Sequence, residues 1–103
     1  MCWANPYIEK LQQGEVAKFR PRGHSMRGKV SDGQLVTVEP FQDESEPEVG
    51  DVVLCRVRCK HYLHLVTAKQ GEPSRFQIGN NRGKTNGWIG RNSVFGICTK
   101  VED

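Results

Sequence analysis

Two residues of this chain have side chains that could act together in nucleophilic chemistry. Ser25 lies in the glycine-flanked stretch Gly23 to Gly28, and its hydroxyl is a useful nucleophile only when a nearby base removes its proton. His64 lies in the apolar stretch Tyr62 to Val66, and imidazole, with an ordinary pKa of about 6.5, can be that base at neutral pH. Taken singly, each residue has a plainer interpretation, since serine is common in turns and a histidine among apolar strand residues is commonly buried and hydrogen-bonded.

The elements that must position these residues are mainly β-strands. Residues 6–13 predict a short helix that begins after Asn5 as N-cap and ends at Gly14, because apolar residues recur there at helical spacing. Beyond the helix the apolar pattern has a period of two, and glycine and proline punctuate it. We therefore expect strands over residues 16–20, 34–39, 51–59, 61–68, 75–78 and 94–101.

The two central strands are adjacent in sequence, so we expect them to pair as a hairpin with a tight turn near Cys59 to His61. Side chains alternate along a strand, which places Tyr62 and His64 on one face and His61 with Leu63 on the other. The two histidines of this strand should therefore not serve one site together. A site here would use one of them.

The segment around Ser25 resembles the nucleophile segment shared by LexA-type repressors and type I signal peptidases. That segment has Gly-x-Ser-Met, then Asp-Gly-Asp and an apolar strand. Here the pattern is found within residues 19–38, with Gln34 in place of the usual second acid. The matching residues are Gly23, Ser25, Met26, Asp32, Gly33 and the strand Leu35 to Val38.

A second match lies at the expected interval along the chain. Residues 50–58 resemble the strand that leads into the general base of this superfamily, and Leu63 and His64 occupy the places of the aliphatic residue and the base. Most LexA-type proteins and bacterial signal peptidases have lysine there. His64 is similar to the histidine of the endoplasmic-reticulum signal peptidases and of many archaeal relatives.

The third match, residues 76–90, resembles the signal-peptidase segment Gly-Asp-Asn-Arg-Asp-Asn-Ser-x-Asp-Ser-Arg. Asn80, Gly83 and Gly87 fall where that segment has aspartates, so the acid that orients the base in histidine-type relatives has no counterpart here. Asn80 or Asn81 could orient His64 instead. Asp32 and Asp51 are fallback candidates for the same role.

The resemblance implies a fold and a mechanism. The fold would be a complex of antiparallel strands forming a partly closed barrel, with the short helix at its N-terminal end. Ser25 would be the nucleophile and His64 the base, with the Ser25 hydroxyl roughly 2.6 to 3.5 Å from a ring nitrogen. The turn from Gly23 to Met26 would present backbone N–H groups to the oxyanion, that of Ser25 among them.

Composition bounds the remaining expectations. At 103 residues, with 36% apolar and 26% charged residues, the chain fits one globular domain over residues 1–103, with its core over residues 16–101. No apolar run approaches the roughly 20 residues that span a bilayer, and no secretory signal is found, so we expect a cytoplasmic protein without a membrane partner. The four cysteines lack metal-ligand spacing, and no cofactor or metal is expected.

The sequence is compatible with three functions. The first is a soluble serine peptidase that acts on a peptide or protein with a Ser25 and His64 dyad. The second is a pseudopeptidase that keeps the fold as a peptide-binding or regulatory module, since the orienting acid is missing. The third is a nucleic-acid-associated regulator that would use the basic clusters at residues 18–29 and 56–60. It is less favoured because the acidic stretch at residues 43–51 offsets their charge. The oligomeric state is open, a homodimer included.

Overall fold

The computed structural model of the chain describes residues 3–22, 29–41 and 45–103. Within these ranges the protein has one short α-helix and seven strands in a single antiparallel sheet. In chain order the elements are α1 (Asn5–Gln12), β1 (Ala17–Phe19), β2 (Leu35–Glu39), β3 (Val52–Val57), β4 (Lys60–Gln70), β5 (Arg75–Gly79), β6 (Thr85–Gly90), a 3₁₀ turn (Arg91–Ser93) and β7 (Val94–Glu102). The expected mainly β fold class is confirmed.

The helix starts one residue earlier than predicted. Asn5 is its first residue and Ala4 occupies the N-cap position without a side-chain hydrogen bond, so the interpretation of Asn5 as N-cap was wrong. Pro6 fits in this first turn because the N–H that proline lacks would have no helical partner there. The end agrees with the prediction: Gly14 has a φ of +80°, and the Glu15 N–H donates to the Lys10 carbonyl in a Schellman motif.

The strand order is β1-β2-β7-β3-β4-β5-β6, so β1 and β6 are the two edges of the described sheet. Register shifts interrupt four of the strand pairs, and such bulges bend a sheet and increase its twist. As a result β6 curls back towards β3: a Cβ on Gly87 would lie 3.3 Å from Cγ1 of Val57. The sheet is partly closed, as a barrel-like fold requires.

Two apolar clusters pack on this curved sheet. The first lies under α1 and contains Ile8, Leu11 and Phe19 together with Val36 and Leu54. The second is built by alternate residues of β3 and by β4 to β7, and its members are Val53, Cys55, Val57, Val66, Phe76, Ile78, Ile89 and Val94. The alternation of Val53 and Leu54 between the two clusters shows that β3 is covered on both faces.

Two local predictions need correction. The β3–β4 turn is formed by Arg58 and Cys59, since Val57 pairs with Lys60, so the turn lies earlier than the predicted stretch from Cys59 to His61. His61 lies in β4, within the predicted strand range 61–68. Strand β6 was not predicted, because Asn86, Gly87 and Gly90 are poor strand formers and read as a loop. Its pairing with β5 overrides that local preference.

Candidate functional site

Three of the predicted site residues lie outside the described residues. They are Ser25, the predicted nucleophile, and Gly23 and Met26, predicted with it to present the oxyanion donors. The separation between the Ser25 hydroxyl and His64 therefore stays a prediction. The described part of the site is built around His64.

His64 lies near the start of β4, where it pairs with Val53 of β3. Its side chain is buried, with 7% of its surface exposed. One side of the imidazole stacks on Tyr62, with 4.7 Å between the ring centroids. A residue of the same strand therefore packs against the ring of His64, the residue that the sequence predicted as the base.

The side-chain amide of Asn86 holds the imidazole from another strand. Asn86 Oδ1 lies 2.8 Å from His64 Nδ1, although β5 separates their two strands in the sheet. The contact follows from a bulge in β6: Ile78 pairs with Gly87 and Gly79 with Thr85, so Asn86 is the extra residue between them. Bulges often redirect a side chain beside a functional site, and here the redirected side chain reaches His64.

This hydrogen bond selects the tautomer that a base needs. With the amide oxygen as acceptor, the Nδ1–H of His64 donates, and Nε2 of the neutral ring carries the lone pair. Burial lowers the pKa of His64, and the hydrogen bond that the ring donates to Asn86 opposes that shift in part. The imidazole is therefore neutral at physiological pH and can accept a proton.

The structure gives the predicted orienting residues other contacts. Oδ1 of Asn80 accepts the backbone N–H groups of Arg82 and Lys84 and so holds the β5–β6 turn. Asn80 nevertheless lines the same cavity as His64, whereas Asn81 is exposed. The sequence did not single out Asn86, since its only signal was a third asparagine in a segment read as a loop.

The two fallback acids also lie in turns. Oδ2 of Asp51 accepts the backbone N–H of Glu48 at 2.8 Å and fixes the loop before β3. Asp32 is exposed. The orienting contact that the structure records for His64 is therefore with a neutral amide.

A cavity of about 650 Å³ opens beside His64 and Asn86. Residues from both edge strands border it, since Phe19 belongs to β1 and Asn86 to β6. It is lined by Trp3, Tyr7, Phe19, Arg20, Pro21, Arg22, Val30, Ser31, His61, Tyr62, Leu63, His64, Asn80, Lys84 and Asn86. In the sequence, Arg22 and Val30 flank the segment that contains Ser25.

Both histidines of β4 border this cavity, so the expectation that a site would have only one of them was too narrow. Their surroundings do differ as the alternation predicted: His61 stacks on Phe95, with 6.0 Å between centroids, whereas His64 stacks on Tyr62. Burial lowers the pKa of His61, and the positive charge of Arg56 lowers it further. The recorded hydrogen bond to Asn86 is made by His64.

Another nucleophile in the core can be set aside. Cys55 is fully buried in the second apolar cluster, and burial raises the pKa of its thiol to about 12. A cysteine reacts as the thiolate, which this environment suppresses. Cys55 is a packing residue of this cluster.

We expect an Asn86→Asp substitution to raise the pKa of His64, because a carboxylate beside Nδ1 stabilises the imidazolium form. The midpoint of an NMR titration of the His64 Cε1 proton should move upward by about one unit or more. Asn80→Asp is the matched control, because it adds the same charge to the lining of the same cavity. The side chain of Asn80, however, accepts hydrogen bonds from the backbone of the β5–β6 turn. An equal shift in both variants would show that the contact with Asn86 is not special.

Comparison with protein families, curated proteins and solved structures finds no match for this chain. The functional assignment therefore depends on the residues themselves and on the sequence resemblance. In the described ranges, no helix has the length and apolar character that crossing a bilayer needs.

Proposed function

We propose that the chain is a serine peptidase of the LexA and signal-peptidase type, with Ser25 as nucleophile and His64 as general base. The observation that carries the proposal is the state of His64. Its side chain is buried and oriented by an amide on Nδ1, and it borders a cavity large enough for several peptide side chains. Burial also lowers its pKa and so favours the neutral ring. Such an orientation by a neutral amide has a precedent in the Cys-His-Asn sites of papain-like proteases.

The chemical step follows from these roles. Nε2 of His64 takes the proton of the Ser25 hydroxyl as its oxygen attacks the peptide carbonyl, and the imidazolium then protonates the leaving amine. Water, deprotonated in turn by His64, hydrolyses the resulting acyl-serine ester. The imidazolium gives that proton to the Ser25 oxygen as the ester C–O bond breaks, so one carboxylic acid product is released and both residues of the dyad return to their neutral state.

A fluorophosphonate probe tests this proposal, because it phosphonylates only an activated serine. We expect one adduct, located by mass spectrometry on the peptide that contains Ser25 and absent from Ser25→Ala. Ser31 also lines the cavity, so Ser31→Ala is the matched control and should label like the wild-type chain. Labelling that persists in Ser25→Ala, or none in the wild type, would reject the peptidase.

A second candidate function is a pseudopeptidase that binds peptides in the same cavity without cleaving them. The neutral amide of Asn86, where a triad has a carboxylate, favours it, because an amide does not stabilise the imidazolium as an anion does. Labelling of Ser25 that ignores the loss of His64 would support this alternative. Labelling that requires His64 would support the peptidase.

A further inference from the structure

The cavity beside His64 has one aromatic wall, formed by Trp3, Tyr7 and Phe19. Tyr7 and Phe19 stack on each other with 4.4 Å between centroids, and Trp3 packs against Phe19 at 5.8 Å. Trp3 keeps 48% of its surface exposed, which is unusual for so large an apolar side chain. An apolar group that entered the cavity would cover this surface and gain the hydrophobic free energy of its burial.

The same cavity is positively charged. Arg20 and Arg22 line it where the chain leaves β1, and Lys84 lines it from the β5–β6 turn. No carboxylate is found among the described residues that line it. The ion pairs recorded between described residues join Lys69 to Glu46 and Glu48 and join Lys100 to Glu102, and none of these residues lines the cavity.

We infer that the cavity binds acidic peptide segments that carry a large apolar side chain. The apolar side chain packs on the aromatic wall and the carboxylates pair with Arg22 and Lys84. The inference rests on the proposed function in one respect: such segments are then the substrates of the Ser25 and His64 site. The binding itself requires no catalysis.

The shape of the wall favours a peptide over a single-stranded nucleic acid, which also combines anions with flat apolar rings. Proteins that bind single strands offer exposed aromatic faces on which successive bases stack along a basic groove. Here Tyr7 and Phe19 cover each other's faces, and Phe19 is buried. Trp3 alone of the three is largely exposed, which suits one apolar side chain better than a run of bases.

Calorimetric titration of the Ser25→Ala variant tests the inference without turnover. The reference peptide is acetyl-Asp-Glu-Phe-Ala-Ala-Glu-amide. Two probes differ from it by one property each: acetyl-Asn-Gln-Phe-Ala-Ala-Gln-amide lacks the charges, and acetyl-Asp-Glu-Ala-Ala-Ala-Glu-amide lacks the ring. We expect the reference peptide to bind about 10-fold more tightly than either probe, the charge advantage shrinking as salt rises.

Substitutions locate the binding. Lys84→Gln and Arg22→Gln should each weaken the acidic peptides about threefold to tenfold and leave the uncharged peptide unaffected. Trp3→Ala should weaken only the two peptides that contain phenylalanine. Lys60→Gln is the matched control, because Lys60 is exposed beside the β3–β4 turn and does not line the cavity.

Three results would overturn the inference: equal affinity for the acidic and uncharged peptides, no binding of any peptide, or tighter binding of a thymidine decanucleotide that displaces the peptide. Failure of the proposed function is distinguishable from each of these. If Ser25→Ala binds the acidic peptide selectively while the wild type neither labels nor cleaves, the binding inference stands and the peptidase fails. If the wild type labels at Ser25 but shows no preference for the charged peptides, the peptidase stands and the binding inference fails.

Discussion

The His64→Ala variant is expected to react with a fluorophosphonate at Ser25 about 10³-fold to 10⁴-fold more slowly than the wild-type chain. A serine hydroxyl is almost fully protonated at neutral pH, so its reactivity depends on a base that removes the proton during attack. His64 is the described side chain best suited to this, since its ring is buried and hydrogen-bonded through Nδ1. The measurement is the second-order labelling rate, followed by intact-protein mass spectrometry.

The pH dependence of this rate identifies the base. Neutral His64 is the active form, so the rate should rise with pH and level off once the imidazole has lost its proton. Burial lowers the pKa of His64, which places the half-maximal rate below the ordinary histidine value of 6.5. In Asn86→Asp the same midpoint should move upward, because the added carboxylate favours the protonated ring.

His61→Ala is the matched control for this prediction. His61 lies on the same strand and borders the same cavity, but it stacks on Phe95 and has no recorded bond to Asn86. The variant should keep the labelling rate and pH midpoint of the wild type. A comparable loss in both histidine variants would contradict the assignment of the base to His64.

Gly79→Ala is expected to lower both the stability of the protein and the reactivity of Ser25. A Cβ at Gly79 would lie 2.7 Å from the Lys84 carbonyl oxygen and 3.2 Å from Cγ2 of Thr67, and the Lys84 backbone cannot move aside as a flexible side chain can. Overpacking of this kind costs about 1–3 kcal/mol, to be measured as a fall in the free energy of unfolding in urea. The displaced backbone carries Asn86, so labelling of Ser25 should fall about 10-fold with the weakened hydrogen bond.

Gly90→Ala separates this effect from the general cost of losing a glycine. Gly90 ends the same strand, β6, yet a Cβ there would meet no atom within 4 Å. The free energy of unfolding and the rate of labelling at Ser25 should both stay close to the wild-type values. If Gly79→Ala behaved like Gly90→Ala, the close approach of β5 to the Lys84 carbonyl would not be what positions Asn86.

The part of the fold that can be predicted from the sequence is the part that depends on the local pattern of apolar residues and glycines. Six of the seven described strands overlap the ranges predicted from the apolar pattern, and the helix stops before Gly14 because glycine tolerates the positive φ of that position. Strand β6 could not be found in this way. Its glycines and Asn86 are unfavourable for a strand in isolation, and the pairing of residues 85–90 with β5 is a long-range interaction that a local pattern does not record.

The same division applies to the site. The amino-acid sequence by itself determined that His64 stands on a strand, on the same face as Tyr62, and the resemblance predicts a base at this position. The tertiary structure decided which group orients that histidine. Asn86 is 22 positions away in sequence and two strands away in the sheet, and it reaches His64 because a bulge and the curvature of the sheet bring β6 back to β4. Two strand pairings and their bulges must form before the two side chains can meet, so the partner of His64 is a property of β4, β5 and β6 together.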